Sequence, residues 1–366
     1  MSRSATAVLS TDNLLHNLNV IKAQAPRSKI IAMVKANAYG HGLRSVSSRL
    51  APHVDMLGVA SIDEAMALRQ IGLTIPILLI EGVFEANELH IAATQGFEVV
   101  FHEQLQLEWL NALPASLPPI TAWLKVDTGM GRLGFNLPDA PNMYERLSQS
   151  PHTKNPVRII SHFACADNPD HPLNQRQITH FKQLIEKIPH ADVPLSFANS
   201  AAIFQFNTAQ HHFIRPGITL YGASPFANTL KISAEDLQLK PVMTLKTQII
   251  AVRHMKKGSP LGYNARYICP EDMPVGVIAF GYGDGYPRNA PDGTPIRVNQ
   301  TICTLIGQVS MDMITVDLRA CPTAKVGDPV ILWGEGLPVE TVAQHTQQVS
   351  YDLLTGVQNR VKFNWQ

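Results

Sequence analysis

Short apolar runs, each long enough for one buried strand, recur through the first 215 residues with helix-like segments between them. They centre on 30–34, 56–60, 77–80, 97–101, 120–126, 157–163, 195–198 and 213–215. An unbroken run such as Lys29-Ile-Ile-Ala-Met-Val34 suits a strand covered on both faces. Strands alternating with helices make a parallel sheet covered by helices. A count near eight in about 220 residues favours a TIM-type (β/α)8 barrel, with a doubly wound sheet as the alternative. Leu14, Leu15, Leu18 and Ile21 share one helical face, and Pro26 ends that helix. Ser61-Ile-Asp-Glu64 reads as a capping box with Gly72 at the helix's far end. A later helix is expected to bury Ile178, Phe181, Ile185 and Ile188 and to stop at Pro189.

After about residue 228 the pattern changes. The runs 243–252, 275–280, 294–298, 301–306 and 313–318 are β-rich and separated by Lys257-Gly258, Asp292-Gly293 and Val326-Gly-Asp-Pro329. Helical periodicity is largely absent until near Val339. A second, mostly antiparallel β domain is therefore expected over 229–366, after a barrel over 8–228.

Composition narrows the class. Thirty Lys and Arg balance 29 acidic residues, leaving a formal charge of +1 and no field to recruit nucleic acid or an anionic membrane. The four cysteines, Cys165, Cys269, Cys303 and Cys321, are widely spaced and fit a reducing compartment better than a disulfide framework. The first residues lead into an amphipathic segment without an apolar leader, so a cytoplasmic protein is expected. The 14 histidines show no compact ligand spacing, so no metal is expected. No G-x-S-x-G elbow marks a hydrolase.

Barrel enzymes carry their chemistry at the C-terminal ends of the strands. Here those ends hold Lys35, Lys125 with Asp127, His162, Asn199 with Ser200, and Arg215. A lysine at a barrel mouth, partly desolvated, has access to the neutral, nucleophilic amine that Schiff-base chemistry needs. It could equally snorkel or pair with a carboxylate. Arg215-Pro-Gly-Ile218 could present backbone amides to a phosphate, or be an ordinary turn. Thr128-Gly-Met-Gly-Arg-Leu-Gly134 contains G-x-G-x-x-G, but mid-chain and with no acid about 20 residues on, so a dinucleotide site is disfavoured. The Gly-Tyr turns at 262–263 and 281–286 read first as structural.

Taken together, these segments resemble the bacterial alanine racemases, a pyridoxal-phosphate-dependent family. Val34-Lys-Ala-Asn-Ala-Tyr-Gly-His-Gly42 is similar to the family's cofactor-lysine motif. Leu124-Lys-Val-Asp-Thr-Gly-Met-Gly-Arg-Leu-Gly134, Ser161-His-Phe163, Asn199-Ser-Ala201 and Arg215-Pro-Gly-Ile218 follow in the family's order. Leu261-Gly-Tyr263, Gly281-Tyr-Gly-Asp-Gly285, Val309-Ser-Met-Asp312 and Ser350-Tyr-Asp-Leu353 extend the series over nearly the whole chain. The resemblance implies a (β/α)8 barrel followed by a β domain that residues 1–7 join.

It also implies a site. Inverting an α-carbon takes a base on each face; the resemblance assigns Lys35, which is also the cofactor anchor, and Tyr263 from a second subunit. It assigns Tyr39, His162, Ser200, Arg215, Gly217, Ile218 and Tyr351 to the cofactor. Arg132 and Met311 go to the substrate, with Asp312 beside Met311. Lys125 matches a lysine that relatives carry carbamylated. The implied protein is a cytoplasmic homodimer with shared active sites, acting on L- and D-alanine, with serine as a slower alternative. It would supply D-alanine for peptidoglycan or feed alanine catabolism. The alternatives are a pyridoxal-phosphate barrel decarboxylase of basic amino acids, a non-catalytic pyridoxal-phosphate-binding protein and, more distantly, an NAD oxidoreductase.

Overall fold

The computed structural model describes residues 4–188, 192–226 and 230–366. The expected helix end at Pro189, the expected domain boundary at 228/229 and the first three residues lie outside them. One compact unit comprises Leu18–Ala38 and Gly42–Leu220; the other comprises Met1–Asn17, Tyr39–His41 and Tyr221–Gln366.

In chain order the first strand, β1 (Thr6–Leu9), belongs to the latter unit. The next eight close a parallel barrel: β2 (Lys29–Met33), β3 (Met56–Val59), β4 (Ile77–Leu79), β5 (Glu98–Phe101), β6 (Ile120–Lys125), β7 (Thr153–Ile160), β8 (Leu195–Asn199) and β9 (Phe213–Arg215). Closure is direct, with Lys29 beside Phe213 and Ile30 beside Ile214. Each strand falls on an apolar run named above. Every residue of β3, β4 and β5 is buried, as strands covered on both faces must be.

One buried carboxylate in this core is held by two donors. The Trp123 indole N–H donates to Glu98 Oε2 at 2.6 Å, and Arg158 Nη1 donates to the same oxygen at 2.7 Å. The Arg158 guanidinium lies 5.1 Å from the Trp123 ring centre and 5.3 Å from that of Phe213. Burial raises the Glu98 pKa while Arg158 opposes the rise, so the carboxylate is tolerated because it is paired.

The helix Thr11–Gln24 buries Leu14, Leu18 and Ile21, and Leu15 is half-buried. Ser61 caps Ile62–Gln70 by accepting from the Glu64 N–H at 3.4 Å, and Gly72 follows in the left-handed region at φ +83°. The helix Pro172–Ile185 corrects the expected face: it buries Asn174, Gln177, Phe181 and Leu184, while Ile178 and Ile185 are only half-buried. The reason is Gln177. Its amide donates to Thr128 Oγ1 at 3.1 Å and to the His162 carbonyl at 2.9 Å, and accepts from the Ala164 N–H at 3.0 Å. A satisfied polar side chain takes a core position that periodicity reserves for an apolar one.

The other unit is built on antiparallel strands: β10 (Met243–Met255), β11 (Pro260–Leu261), β12 (Tyr267–Ile268), β13 (Met273–Ile278), β14 (Pro295–Val298), β15 (Thr301–Leu305), β16 (Ile314–Asp317), β17 (Pro329–Trp333) and β18 (Lys362–Trp365). Its sheet runs β13-β16-β15-β14-β17-β10-β1-β18, and a further β10–β13 pairing closes six of these strands into a barrel. β1 pairs antiparallel with β10 and parallel with β18. β18 had no sequence signal because three of its four residues are exposed. Among the described residues no helix is long and apolar enough to cross a membrane.

Candidate active site

Lys35 follows β2 by two residues, and the backbone after it is unusual. Ala36, Asn37, Ala38 and Tyr39 have φ between +50° and +53°, a full left-handed turn without a glycine. Each non-glycine residue there costs about 1–2 kcal/mol, so the surroundings must hold the turn. Glu64 Oε1 accepts from the Ala36 N–H and its Oε2 from the Ala60 N–H, both at 2.8 Å. Asn37 accepts at its carbonyl from Gly42 N–H at 2.9 Å and at Oδ1 from Leu43 N–H at 2.8 Å. Small Ala36 and Ala38 fit a conformation in which a bulkier Cβ crowds the next carbonyl.

Lys35 is partly buried and paired with a carboxylate. Its side chain is 36% exposed, and Nζ lies 3.0 Å from Glu81 Oε1. The buried lysine of this cluster is Lys125, at the end of β6: burial pushes it down to about 8, helped by Arg215, Arg132 and Lys35 and opposed by Glu81. Among the described residues no acceptor bonds its ammonium. Lys35, Arg132, Arg215 and Glu81 thus all act on Lys125 at this end of the barrel.

Arg215, the last residue of β9, is buried, and its fork is spread over four acceptors. Nη1 donates to Ser196 Oγ at 2.6 Å; Nη2 donates to the Ser161 carbonyl at 2.6 Å, the Phe197 carbonyl at 3.2 Å and His162 Nδ1 at 3.2 Å. Burial pushes its guanidinium down to about 9. Burial and then Arg215 hold His162 well below its usual value, so the imidazole is neutral.

Ser200 opens the helix Ser200–Gln205, whose first turn Asn199 caps by accepting from the Ala202 N–H at 3.0 Å. Ser200 Oγ accepts from the Gly217 N–H at 2.8 Å and lies 3.2 Å from the Thr219 hydroxyl. The turn Ile218–Tyr221 follows. Ser200, Gly217 and Ile218 are thus brought together as hydroxyl and amide donors, although the Gly217 amide is already engaged by Ser200.

Arg132 is exposed on the glycine loop after β6. That loop is not built for a dinucleotide. Asp127 accepts from the N–H groups of Gly129 and Met130 at 2.8 Å each and of Gly131 at 2.9 Å. Amides that would cradle a diphosphate are consumed by a carboxylate. The next helix begins only at Ala140.

In the other unit, Tyr39 stacks on Tyr221 with ring centres 4.9 Å apart, and Tyr351 lies 5.9 Å from Tyr39. Burial pushes the Tyr39 phenol up to about 12. Tyr263 begins a short turn after Gly262 and is 64% exposed; Met311 is 52% exposed. The turn Gly281–Gly285 explains its glycines: Tyr282 N–H donates to the Ser310 carbonyl at 3.0 Å and Gly283 N–H to that of Met311 at 2.9 Å. A Cβ at Gly281 would lie 2.3 Å from Ser310 O. Arg360 joins Asp312 at 2.5 Å to the fully buried Asp284 at 2.9 Å. This turn is a scaffold under Met311.

Sequence reading passed over Glu81 and Glu64. The strand-end rule that named Lys35 also reaches Glu81, two residues past β4, and would have found it. Glu64 carried only its capping role. Among the described residues no group of three or more His, Cys, Asp or Glu is placed to hold a metal.

Comparison with known proteins gives a consistent picture. Residues 9–225 match the family described as alanine racemase, N-terminal domain, and residues 242–365 match alanine racemase, C-terminal domain. The alanine racemase of Aeromonas hydrophila is 47% identical over 360 residues, and that of Coxiella burnetii 44% over 363, each covering 98% of both chains. The biosynthetic alanine racemase from Pseudomonas aeruginosa superposes with a TM-score of 0.94 at 40% identity, covering 100% of this chain and 99% of that one. The alanine racemase from Bartonella henselae with covalently bound pyridoxal phosphate gives 0.87 at 26% identity, covering 99% of each.

Proposed function

This chain belongs to the alanine racemase family, and from that premise we propose that Lys35 and Tyr263 are its two opposed acid–base residues. It is an isomerase that interconverts L-alanine and D-alanine, and its cofactor is pyridoxal phosphate. The observation that carries the site reading is the cluster at the barrel's strand ends: one accessible amine at Lys35, cationic Lys125, Arg132 and Arg215, and neutral donors at Ser200 and the 217–218 turn. That donor set fits an anionic cofactor bearing a carbonyl. Lys35 would anchor it; Ser200, Gly217, Ile218, Tyr39 and Tyr351 would hold its phosphate; His162 and Arg215 would flank its ring.

When bound, the cofactor supplies a conjugated ring that takes up the electron pair left by the departing α-proton. The protein's part is proton handling. Lys35 Nζ holds a proton on one face of the α-carbon and the Tyr263 hydroxyl on the other. Arg132 binds the substrate carboxylate as a two-pronged donor. Arg215, a donor only, would offer the cofactor's ring no carboxylate to stabilise added positive charge.

Tyr263 and Met311, both strongly exposed, are read as completing the site of a second copy, so the functional unit is a homodimer with shared active sites. Within it, residues 8–228 carry the cofactor lysine and 229–366 supply the partner's residues. Lys125 is read as a carbamylation site, since a buried, easily neutralised amine can attack carbon dioxide and the product would offset Arg132. The protein is read as cytoplasmic. Incubation with L-alanine and with L-serine in D2O tests the assignment: α-deuterium and D-alanine are expected, with serine slower. No inversion of either would defeat it.

A further inference from the structure

We propose that Glu81 is the positioning residue of the Lys35 amine, an inference that rests on the reading of Lys35 as the cofactor anchor. Its carboxylate lies 3.0 Å from Lys35 Nζ, across 46 residues of sequence. Both side chains are more than a third exposed, and a pair this open adds little to fold stability. Its consequence lies in what it does to the amine.

The backbone that presents Glu81 is fixed from three sides. Its carbonyl accepts from His102 Nε2 at 3.1 Å. Gly82 has φ +78°, and a Cβ there would lie 2.5 Å from the Val100 carbonyl oxygen and 2.7 Å from Gln106 Nε2. Buried Gln106 donates to the Val83 carbonyl at 3.0 Å and accepts from the His102 N–H at 2.9 Å. The carboxylate therefore stands on a rigid turn.

Lys35 and Glu81 both act on buried Lys125, as do Arg215 and Arg132. His102 and His162 are both pushed below the usual value by burial and stay neutral. Glu64 spends both oxygens on the Ala36 and Ala60 amides. Glu81 is thus the carboxylate that pairs with the Lys35 amine. It keeps a flexible four-carbon stem pointed at one place, so its removal should free the amine to swing.

The test compares the cofactor-free full chain with Glu81→Gln and Glu81→Asp. Borohydride-trapped attachment of pyridoxal phosphate reports placement. In Glu81→Gln cofactor attachment should slow at least about tenfold; Glu81→Asp should recover part of the rate. Unchanged attachment in Glu81→Gln overturns the proposal. Trapping of the cofactor on another lysine in the unsubstituted chain would instead overturn the anchor reading.

Discussion

Arg215 reaches from the end of β9 to His162 beyond the end of β7, with Nη2 3.2 Å from Nδ1 across 53 residues of sequence. A guanidinium has no acceptor, so His162 must accept at Nδ1 and carry its proton on Nε2. The same guanidinium nitrogen is tied to the Ser161 carbonyl at 2.6 Å. The pair fixes both the tautomer of the imidazole and the direction of the arginine.

Replacing Arg215 by Glu puts a carboxylate where only donors now stand. A carboxylate facing the cofactor's ring nitrogen would favour its protonation and make the ring a stronger electron sink. Pyruvate formation from alanine per racemisation event should rise at least about tenfold, measured by product analysis. Unchanged transamination would sink the idea that Arg215 suppresses side reactions.

The two-base reading separates the faces of the α-carbon. Tyr263→Phe should lower racemisation by about 10²–10⁴-fold while the Lys35 face still exchanges its α-proton with D2O for one enantiomer. Mass spectrometry and chiral chromatography of each enantiomer check this. Equal loss of exchange for both would contradict the assignment of Tyr263 to one face.

Ala36 sits exposed at φ +53°. Glycine adopts this region without the Cβ clash, though it loses more chain entropy on folding. Ala36→Gly should therefore stabilise the protein by about 1 kcal/mol, visible as a higher denaturant midpoint at unchanged slope. A lower midpoint would mean that the left-handed turn carries no strain.

His211 packs beside Phe181, with ring centres 5.4 Å apart, and burial pushes it down to about 4, with His212 adding to the shift. Its folded value lies below the unfolded one, so the unfolded chain binds more protons between about pH 6.5 and 4. The stability it contributes is full above about pH 6.5 and lost as pH falls through that window. From pH 7 to 5 this amounts to about 2 kcal/mol. His211→Phe cannot titrate, so its stability loss between pH 7 and 5, from urea unfolding, should be smaller by about that amount. An equal loss in both proteins would place the titration elsewhere.

Barrel and site were legible to different depths. The barrel strands could be read because each contains a local apolar run, and in β3, β4 and β5 burial on both faces leaves no alternation to confuse. Gln177 could not: its burial depends on Thr128, His162 and Ala164, all at least 13 residues away in sequence. β18, exposed at three of four positions, is held by its ladder to β1 rather than by its own side chains.

The same division applies to the chemistry. Sequence alone determined where the barrel strands lie along the chain, the places where polar residues resume after strands, and the motifs that mark the family. Tertiary structure decided the electrostatics: that Lys35 is paired with Glu81 while Lys125 is the desolvated amine, that the glycine loop spends its amides on Asp127, and that Arg215 holds His162 in one tautomer. Apolar patterning is written residue by residue along the chain. A charge's surroundings depend on distances between segments that only barrel closure brings together.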